Sequence, residues 1–470
     1  MTTFVVVGGD AAGMSAASKA KRDDPSLDVV VFEKGEWVSY GACGLPYYIK
    51  GEIQSLEDLV SVTPEEFRRE RNIDLRTGHE VVDIDPDTST VTARSDDDGE
   101  VTQPYDALLV ATGSEAVTPP IDGLDREGVY TLGSMSDGKE LRDYVARARD
   151  DENLQQPDRG PACQFLETCT GPVGIVGGGY IGVEMAEALA ANDFEVHLFQ
   201  RGDRILKPFS EATSEVVLDH LTDQQVAVYL DAEVEELAGG DAVEAVVTAD
   251  ERVPVEMVLV GTGTRPRTAL AEGAGIELGE TGAIATDSYR RTNYENVYAA
   301  GDCAEAEHVV TGDPVYVPLA LTANRHGRAV GRTVAGTPTE GGGVAGTAAV
   351  KAFEVEAART GLLDHDTARD AGFDPLTDTI EAKSRAGYYP AGGTVQVTLT
   401  VDRASGRVLG GSLVSEYGEG AVHRSHALVG AVTEGVVVGD LSEYDLAYAP
   451  PFNTTWDPIL TAAKVVDGQR

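Results

Sequence analysis

The sequence predicts an α/β protein with two Rossmann-like dinucleotide-binding domains and a C-terminal α+β domain. Two observations support this fold class. A buried strand, a glycine-rich turn, a helix and a second strand occur in that order at the N-terminus, and the same order returns from residue 172. At 470 residues the chain is also too long for one hydrophobic core. We therefore expect the second unit to form a separate sheet, inserted into the domain that the first unit begins.

The first unit is the segment FVVVGGDAAGMSAASKAKR, followed by LDVVVFEKG. It predicts a buried strand at 4–7, a tight turn at Gly8, close helix packing at Gly13 and a second strand ending at Glu33. An acid at this last position hydrogen-bonds a ribose hydroxyl in dinucleotide folds. Asp10 replaces the central glycine of the fingerprint, so close approach of a pyrophosphate is not assured. A plain βαβ unit is the alternative interpretation.

The second unit is GPVGIVGGGYIGVEMAEALAANDFEVHLFQRGDRIL. The glycines of its fingerprint are Gly177, Gly179 and Gly182. Its second strand ends at Gln200 and Arg201, where an acid is expected for NAD. A neutral residue followed by Arg201 and Arg204 removes repulsion and adds donors for a 2′-phosphate. This pattern favours NADPH over NADH, unless the arginines belong only to a surface turn.

Two later segments end in small residues at the ends of predicted strands. YDALLVATGS (105–114) closes on Ala111, Thr112 and Gly113, and TNYENVYAAGDCAEA (292–306) closes on Gly301 and Asp302. The carboxyl ends of parallel strands face the ligand crevice of an open α/β sheet. Both segments are therefore expected beside a bound dinucleotide.

With these four motifs in this order, the chain resembles the FAD-dependent pyridine nucleotide-disulfide oxidoreductases from residue 3 to about 335. The resemblance implies FAD in the first fold, with Asp302 on its ribityl chain, and NADPH or NADH in the second. It implies an FAD-binding domain at 1–115 and 257–337, an inserted NAD(P)-binding domain at 116–256 and a dimerisation domain at 338–470. Further cofactor contacts are implied at Ala11, Lys34, Val81 and Ala320. In the last domain, VQVTLTVDRASGRVLGGSLVS predicts a hairpin that turns at RASGR.

Cys43, in the stretch SYGACGLP, is the candidate redox centre. Disulfide reductases of this family carry Cys-x-x-x-x-Cys here, but the residue five positions after Cys43 is Tyr48. Cys43 precedes a helix-like stretch, and amide donors there are expected to favour its thiolate. The setting resembles the single-cysteine branch that contains coenzyme A-disulfide reductases, NADH peroxidases and NADH oxidases. The histidine that the peroxidases and oxidases carry in the first glycine loop is Ala11 here. A buried structural thiol is the alternative.

Two C-terminal segments, SRAGYYPAGG and DLAYAPPF, are similar to tyrosine segments of coenzyme A-disulfide reductases. The resemblance implies that Tyr448, and Tyr388 or Tyr389, lie beside Cys43 of the other subunit of a homodimer. A phenol can protonate a departing thiolate because its pKa of about 10 exceeds that of a thiol. Core packing is the alternative for each tyrosine. His423 and His426, in an Ala/Val-rich helical stretch, are interpreted as structural or surface residues.

A group of basic and hydroxyl residues matches the positions that contact coenzyme A in that family: Ser15, Lys19, Arg22, Ser39 and Arg71. Lys19, Lys21 and Arg22 cluster on the first helix, and the 3′-phosphate of an ADP-like group needs such donors. Ala42 departs from the family, which often has asparagine there. A solvated basic surface is the alternative.

The composition is strongly acidic, with 79 Asp plus Glu against 37 Lys plus Arg and a net charge of −42. Because the charge is spread along the chain, it resembles the hydrated surface of proteins from salt-loaded, haloarchaeal cytoplasm. It argues against nucleic acid as a partner. No apolar run is long enough to span a bilayer, and no signal peptide precedes the first strand, so a cytoplasmic protein is expected. No metal site is expected, including at Cys163 and Cys169.

Together these features predict an NAD(P)H-dependent flavoprotein that reduces coenzyme A disulfide through a mixed disulfide on Cys43. Two alternatives of the same fold are an NAD(P)H oxidase and a reductase of polysulfide or another small disulfide. A third, of a different class, is a non-catalytic sensor whose flavin and Cys43 report thiol status.

Overall fold

The computed structural model describes residues 2–96, 99–150 and 170–470. Its strands, in chain order, are β1 (Thr3–Val7), β2 (Asp28–Glu33), β3 (Asp74–Thr77), β4 (Glu80–Asp85), β5 (Thr90–Ser95), β6 (Gly99–Pro104), β7 (Ala107–Val110), β8 (Ser114–Ala116), β9 (Val129–Tyr130), β10 (Gly171–Val176), β11 (Phe194–Phe199), β12 (Ala227–Tyr229), β13 (Val234–Gly239), β14 (Val243–Thr248), β15 (Arg252–Pro254), β16 (Met257–Val260), β17 (Thr264–Pro266), β18 (Val297–Ala299), β19 (Ala306–Glu307), β20 (Pro314–Val315), β21 (Ala348–Ala352), β22 (Val355–Gly361), β23 (Pro375–Lys383), β24 (Thr394–Asp402) and β25 (Val408–Glu416). Its helices are α1 (Ala11–Asp23), α2 (Leu45–Lys50), α3 (Pro64–Arg69), α4 (Met135–Asp150), α5 (Tyr180–Ala190), α6 (Glu211–Asp223), α7 (Ala269–Gly273), α8 (Ala320–Val334), α9 (His365–Asp370), α10 (Ala421–Thr433), α11 (Val438–Leu441) and α12 (Pro458–Asp467).

The first sheet is parallel, with strand order β18-β7-β1-β2-β3. Its central strand is buried on both faces because helices and loops cover it, as expected for a parallel sheet. Helices α1 and α8 pack closely on one face, since a Cβ added at Gly327 would lie 2.1 Å from the carbonyl oxygen of Ala12. This sheet joins the start of the chain to the segment that follows the inserted domain.

The second parallel sheet has the order β12-β11-β10-β16-β9. Its strand β16, Met257–Val260, pairs with β10, so this sheet extends past the predicted domain boundary at 256. The short strands β8 and β17 pair antiparallel where the chain crosses between the two sheets. Two parallel dinucleotide-type sheets, one inserted in the other, agree with the predicted fold class.

The C-terminal sheet is antiparallel, with order β21-β22-β25-β24-β23, and α10 and α12 pack against it. Strands β24 and β25 pair with Val401 opposite Val408, which confirms the predicted hairpin and its turn at RASGR. The predicted α+β domain is therefore present. In the part of the chain that the structure describes, every helix is too short or too polar to cross a bilayer.

Candidate active site

One large cleft lies where the carboxyl ends of the two parallel sheets meet. It encloses about 2770 Å³, well above the roughly 300–1,000 Å³ of a typical small-molecule pocket, so it has room for more than one ligand. The predicted site residues that do not line it are Gly13, Gly182, Arg204, Tyr388, Tyr389 and Tyr448. The other predicted site residues come from distant segments of the chain and line this one cleft.

The first glycine loop is held tightly by close backbone contacts. Gly8 has a φ of +114°, and a Cβ there would lie 2.1 Å from the carbonyl oxygen of Ala111. A Cβ at Gly13 would lie 1.9 Å from the carbonyl oxygen of Gly8. Neither position accepts a side chain without moving backbone, so the strand-to-helix turn predicted from these glycines forms.

Three carboxyl groups meet near this loop. Glu33 accepts hydrogen bonds from the amides of Gly9 and Gly35, each at 2.7 Å, which fixes it at the end of β2. Burial raises the pKa of Asp10 to about 6, and the nearby charges of Glu33 and Asp302 add to this rise. Burial also raises the pKa of Asp302, which accepts a hydrogen bond from the Ser114 hydroxyl at 3.2 Å. The loop is therefore rich in hydrogen-bond acceptors.

The second glycine loop repeats this geometry. Gly177 has a φ of +114°, and a Cβ at Gly182 would lie 1.9 Å from its carbonyl oxygen. Gln200 accepts a hydrogen bond from the amide of Gly178 at 2.9 Å, as Glu33 does from Gly9. A Cβ at Gly179 would meet nothing within 4 Å, so the space in front of this loop is open.

Arg201 is exposed and lines the cleft beside Gln200, where a 2′-phosphate was predicted. Arg204 does not line the cleft and donates instead to the carbonyl oxygen of Lys207 at 3.1 Å. Of the two arginines that the sequence suggested as phosphate donors, only Arg201 therefore lines the cleft.

Cys43 lies in a short 3₁₀ turn (Ala42–Gly44) ahead of α2, with its thiol free and exposed on the cleft. Partial desolvation raises the pKa of the thiol, and the charges of Glu184 and Asp302 raise it further. The expectation that the helix start would favour the thiolate is wrong, because desolvation and, after it, these acids outweigh the few amides of a short helix. Cys163 and Cys169 lie outside the described residues, so the expectation about them is not addressed.

Glu184 and Tyr47 belong to the site, although the sequence did not single them out. Glu184 lies on α5 just after the second glycine loop and lines the cleft. The Tyr47 hydroxyl, on the helix that follows Cys43, donates to Glu184 Oε1 at 3.1 Å. Burial raises the pKa of Glu184 to about 7. The sequence gives little indication of this pair, because Tyr47 and Glu184 are 137 residues apart and only the packing of α2 on α5 brings them together.

A polar wall of the cleft is built from α1 and α8. Ser15 donates to Asn324 at 2.5 Å, Lys19 pairs with Asp23 at 2.6 Å, and Arg71 pairs with Glu66 at 2.9 Å. Ser39 lies against the first glycine loop and donates its amide to Gly9 O at 3.0 Å.

Two arginines complete this wall. Among the described residues, Arg22 on α1 and Arg328 on α8 make no ion pair, and both line the cleft. The prediction that Lys21 belongs to a basic cluster with Lys19 and Arg22 is wrong, since Lys21 is buried and donates to Leu27 O at 2.6 Å. Arg328 was missed because it comes more than 300 residues after Arg22 in the chain.

The C-terminal tyrosines lie away from the cleft of their own chain. The hydroxyls of Tyr388 and Tyr448 are 3.1 Å apart, and Tyr388 is 77% exposed. Tyr389 is also exposed and makes no such contact with Tyr448. The two segments that the sequence paired as tyrosine loops therefore do meet, through Tyr388.

Arg424, on α10, joins the two tyrosine loops. Its guanidinium donates to the carbonyl oxygens of Ser384 at 2.6 Å and Phe452 at 2.9 Å, one from each loop. Asp457 and Asn453 accept from the same side chain. Because several bonds converge on one group, the positions of Tyr388 and Tyr448 are fixed relative to each other.

The residues of both loops fit dinucleotides. In each loop the turn lies so close to a neighbouring backbone segment that only glycine fits there. The backbone amides at the start of the following helix are then available to a pyrophosphate. Glu33 uses two hydrogen bonds to hold its place and still has lone pairs for ribose hydroxyls. Asp10 is the feature that fits least, since a buried carboxylate would oppose a pyrophosphate unless it carried a proton.

Two dinucleotide loops that open on one cleft, with Cys43 as the one exposed cysteine of the described residues, define a nucleotide-dependent thiol–disulfide oxidoreductase. Residues 2–327 match the family model described as pyridine nucleotide-disulphide oxidoreductase, and the chain belongs to this family. FAD and NAD(P)H, as predicted from the motifs, are its cofactors.

Individual relatives extend over nearly the whole chain. It is 38% identical over 465 residues to the NAD(P)H sulfur oxidoreductase (CoA-dependent) of Pyrococcus abyssi, with 99% of this chain and 98% of that protein covered. It is 28% identical over 461 residues to coenzyme A disulfide reductase of Staphylococcus aureus, covering 98% of each. The structure of an NAD-dependent persulfide reductase from A. fulgidus superposes with a TM-score of 0.91 at 33% identity, covering 100% of this chain and 84% of that one.

Proposed function

We propose that this flavoprotein reduces coenzyme A disulfide with NAD(P)H, through a mixed disulfide between Cys43 and coenzyme A. The observation that carries the proposal is the place of Cys43, exposed on the cleft between two dinucleotide loops and without a second thiol nearby among the described residues. A cysteine without an intramolecular partner can hold only an intermolecular disulfide or an oxidised sulfur.

The polar wall supports an acidic, extended substrate. Among the described residues, Arg22 and Arg328 have no carboxylate partner for their guanidinium groups, in a chain with a net charge of −42. Unpaired arginines are suited to phosphate, because their forked donors bind two oxygens at once. The phosphates of an ADP-like group match this wall, and the thiol end of the substrate would then extend toward Cys43. The predicted contacts Ser15, Lys19, Ser39 and Arg71 remain proposals.

In the proposed mechanism, the Cys43 thiolate attacks one sulfur of coenzyme A disulfide. The substrate S–S bond breaks, a Cys43–coenzyme A disulfide forms, and the first coenzyme A leaves as a thiolate that takes a proton from Tyr448 of the partner subunit. Bound FAD supplies the transfer of two electrons from NAD(P)H. Two electrons then cleave the mixed disulfide, which releases the second coenzyme A and returns the Cys43 thiolate.

A homodimer with a shared site is part of this proposal. Tyr388, Tyr448, Phe452 and Trp456, here called the aromatic patch, are exposed by 77%, 47%, 77% and 52%. Exposed aromatic groups of this extent indicate a contact surface. None of these residues lines the cleft of its own chain, which supports a role for the tyrosines at the cleft of a second copy.

A second candidate substrate is a polysulfide or persulfide, favoured by the 38% identity to a sulfur oxidoreductase described as CoA-dependent. An oxidase is less well supported, because Ala11 supplies no acid–base group in the first glycine loop. A non-catalytic sensor would use the same Cys43 but would not turn over.

The deciding experiment is mass spectrometry of the protein as isolated, together with NADPH oxidation in the presence of coenzyme A disulfide, polysulfide or oxygen. We expect an adduct of coenzyme A on the Cys43 peptide that NADPH removes, and sustained turnover with coenzyme A disulfide. Turnover with polysulfide alone would favour the second candidate. A single reduction without turnover on any acceptor would favour the sensor.

For the coenzyme, we propose that Arg201 binds the 2′-phosphate of NADPH. Changing Gln200→Glu and Arg201→Ala together should raise the KM for NADPH by roughly 10- to 150-fold, since a charge-assisted contact contributes about 1.5–3 kcal/mol. The KM for coenzyme A disulfide should not change. Arg204→Gln, which removes a charge from the same turn but outside the cleft, is the control. A wild-type enzyme that prefers NADH, with a preference unchanged in the double variant, would contradict the assignment.

We also propose that the protein works in the cytoplasm of a salt-loaded cell. The charge of −42 supports this, because molar salt, with a Debye length of about 3 Å, would screen its self-repulsion.

A further inference from the structure

The phenols of Tyr388 and Tyr448 belong to two loops that one arginine nitrogen spans. Tyr388 comes four residues after Ser384, and Tyr448 comes four residues before Phe452. The Nη2 atom of Arg424 donates to the carbonyl oxygens of both Ser384 and Phe452, at 2.6 and 2.9 Å. The two loops are therefore joined at points equally far along the chain from their phenols.

The other guanidinium nitrogen, Nη1, ties this bridge to helix α12. It donates to Asn453 Oδ1 at 2.9 Å and to the carboxylate of Asp457, which caps the start of α12. Asn453 in turn donates to the carbonyl oxygen of Ala447, the residue before Tyr448, at 3.3 Å. Because Asn453 and Asp457 are buried, the Tyr448 loop is held next to the phenol by hydrogen bonds that water does not reach easily.

We infer that Arg424 is the positioning residue of the Tyr388–Tyr448 pair, which it holds together for proton transfer at the cleft of the partner subunit. Arg424 is largely buried and does not line the cleft of its own chain, so it acts through the two loops and not on a ligand. This role rests on the proposed function, in which Tyr448 gives its proton to the departing thiolate.

A paired phenol is better suited to this step than a lone one. When Tyr448 protonates the coenzyme A thiolate, its O–H bond breaks, an S–H bond forms, and a phenolate remains until solvent returns a proton. The hydroxyl of Tyr388, 3.1 Å away, can donate to that phenolate and stabilise it. The hydrogen bond to Tyr448 raises the pKa of Tyr388, as expected for the donor of the two. Since hydrogen bonds weaken steeply with distance and angle, the pair needs a fixed geometry.

Arg424→Lys is the test variant, because it keeps the charge and removes the fork. A lysine ammonium can still pair with Asp457, but its single nitrogen cannot also span the carbonyl oxygens of Ser384 and Phe452.

Arg407→Lys is the matched control from the same C-terminal domain. Arg407 also donates from both Nη atoms to carbonyl oxygens, those of Val310 at 3.3 Å and Val309 at 3.0 Å, which lie outside the tyrosine loops.

The first measurement reads the geometry of the pair without any substrate. Visible-light oxidation with ruthenium(II) tris-bipyridyl and persulfate removes one electron and one proton from each of two adjacent phenols, and a C–C bond joins their rings. Mass spectrometry of the monomer band gives the Tyr388–Tyr448 cross-link, in a Tyr389→Phe background that leaves one phenol in the first loop. The yield should fall roughly threefold or more in Arg424→Lys and stay unchanged in Arg407→Lys.

The second measurement is NADPH-dependent turnover with two disulfides. With coenzyme A disulfide, kcat should fall about 10- to 100-fold in Arg424→Lys, the scale on which misplacement of a catalytic group acts, while KM stays close to the wild-type value. A disulfide of nitrothiobenzoate releases a thiolate that needs no proton at neutral pH, so its turnover should not change. A general loss of structure would lower turnover with both disulfides.

An unchanged cross-link yield in Arg424→Lys would overturn the positioning role. A lower yield with unchanged coenzyme A disulfide turnover would also overturn it, because the held geometry would then serve no step. If Arg424→Lys does not fold, Asn453→Ala leaves the Arg424–Asp457 pair in place, loosens Ala447 and should show the same two changes. A wild-type protein that does not turn over coenzyme A disulfide would be a failure of the proposed function, and the cross-link yields would still decide whether Arg424 positions the pair.

Discussion

Replacing Cys43 with serine is expected to lower kcat for coenzyme A disulfide by more than about 10³-fold, the scale on which loss of a nucleophile acts. A serine hydroxyl cannot form the mixed disulfide and is not ionised at neutral pH. FAD should remain bound and should still be reduced by NADPH, since the dinucleotide loops do not involve Cys43. NADPH oxidation with coenzyme A disulfide and the flavin spectrum measure the two properties separately.

Cys303→Ser is the matched control for this variant. Cys303 is completely buried and does not line the cleft, so its loss should leave turnover near the wild-type value. If Cys43→Ser retained near wild-type turnover, Cys43 would be a structural thiol and the single-cysteine mechanism would be wrong.

Mixing two inactive variants tests whether the site is shared between subunits. In a heterodimer of Cys43→Ser and Tyr448→Phe chains, one site would combine the intact Cys43 of one chain with the intact Tyr448 of the other. Because one of its two sites is intact, each heterodimer should recover about half of the wild-type activity, whereas each variant alone stays impaired. No gain on mixing, with heterodimers shown to form, would place Tyr448 outside the partner's site.

The dinucleotide loops were predictable because their chemistry restricts residue type at close spacing. Only glycine fits at Gly8 and Gly177, where the chain turns at positive φ against another backbone segment. The place of Gln200 followed for the same reason, since strand ends in these folds face the ligand. Such constraints are local, so the order of residues along the chain reveals them.

The electrostatic state of Cys43 was not predictable in this way. The sequence shows a short helix start after the thiol, but the pKa of the thiol is raised first by desolvation and then by Glu184 and Asp302, which come from segments far along the chain. Tyr47 and Glu184 are 137 residues apart and become partners only through the packing of α2 on α5. Similarly, the sequence predicts Lys21 as a surface base, but its side chain is buried and donates to Leu27 O. Long-range packing, which no local pattern encodes, decides these properties.

The second large effect is expected at Gly179, where an alanine should block the coenzyme without disturbing the fold. A Cβ at this position meets no protein atom within 4 Å, so Gly179→Ala should fold and keep FAD. The central glycine of the fingerprint lets the backbone approach the pyrophosphate, and a methyl group there would push the phosphates away from their amide donors. Loss of one such charge-assisted bond costs about 1.5–3 kcal/mol, so NAD(P)H should bind roughly 10- to 150-fold more weakly.

Gly182→Ala separates this effect from damage to the loop itself. A Cβ at Gly182 would lie 1.9 Å from the carbonyl oxygen of Gly177, so this variant should lose stability as well as coenzyme binding. Thermal unfolding and the rate of flavin reduction by NADPH, measured on both variants, distinguish the two outcomes. Wild-type NADPH affinity in Gly179→Ala would mean that the pyrophosphate does not approach this loop, because the methyl group has no other contact through which to act.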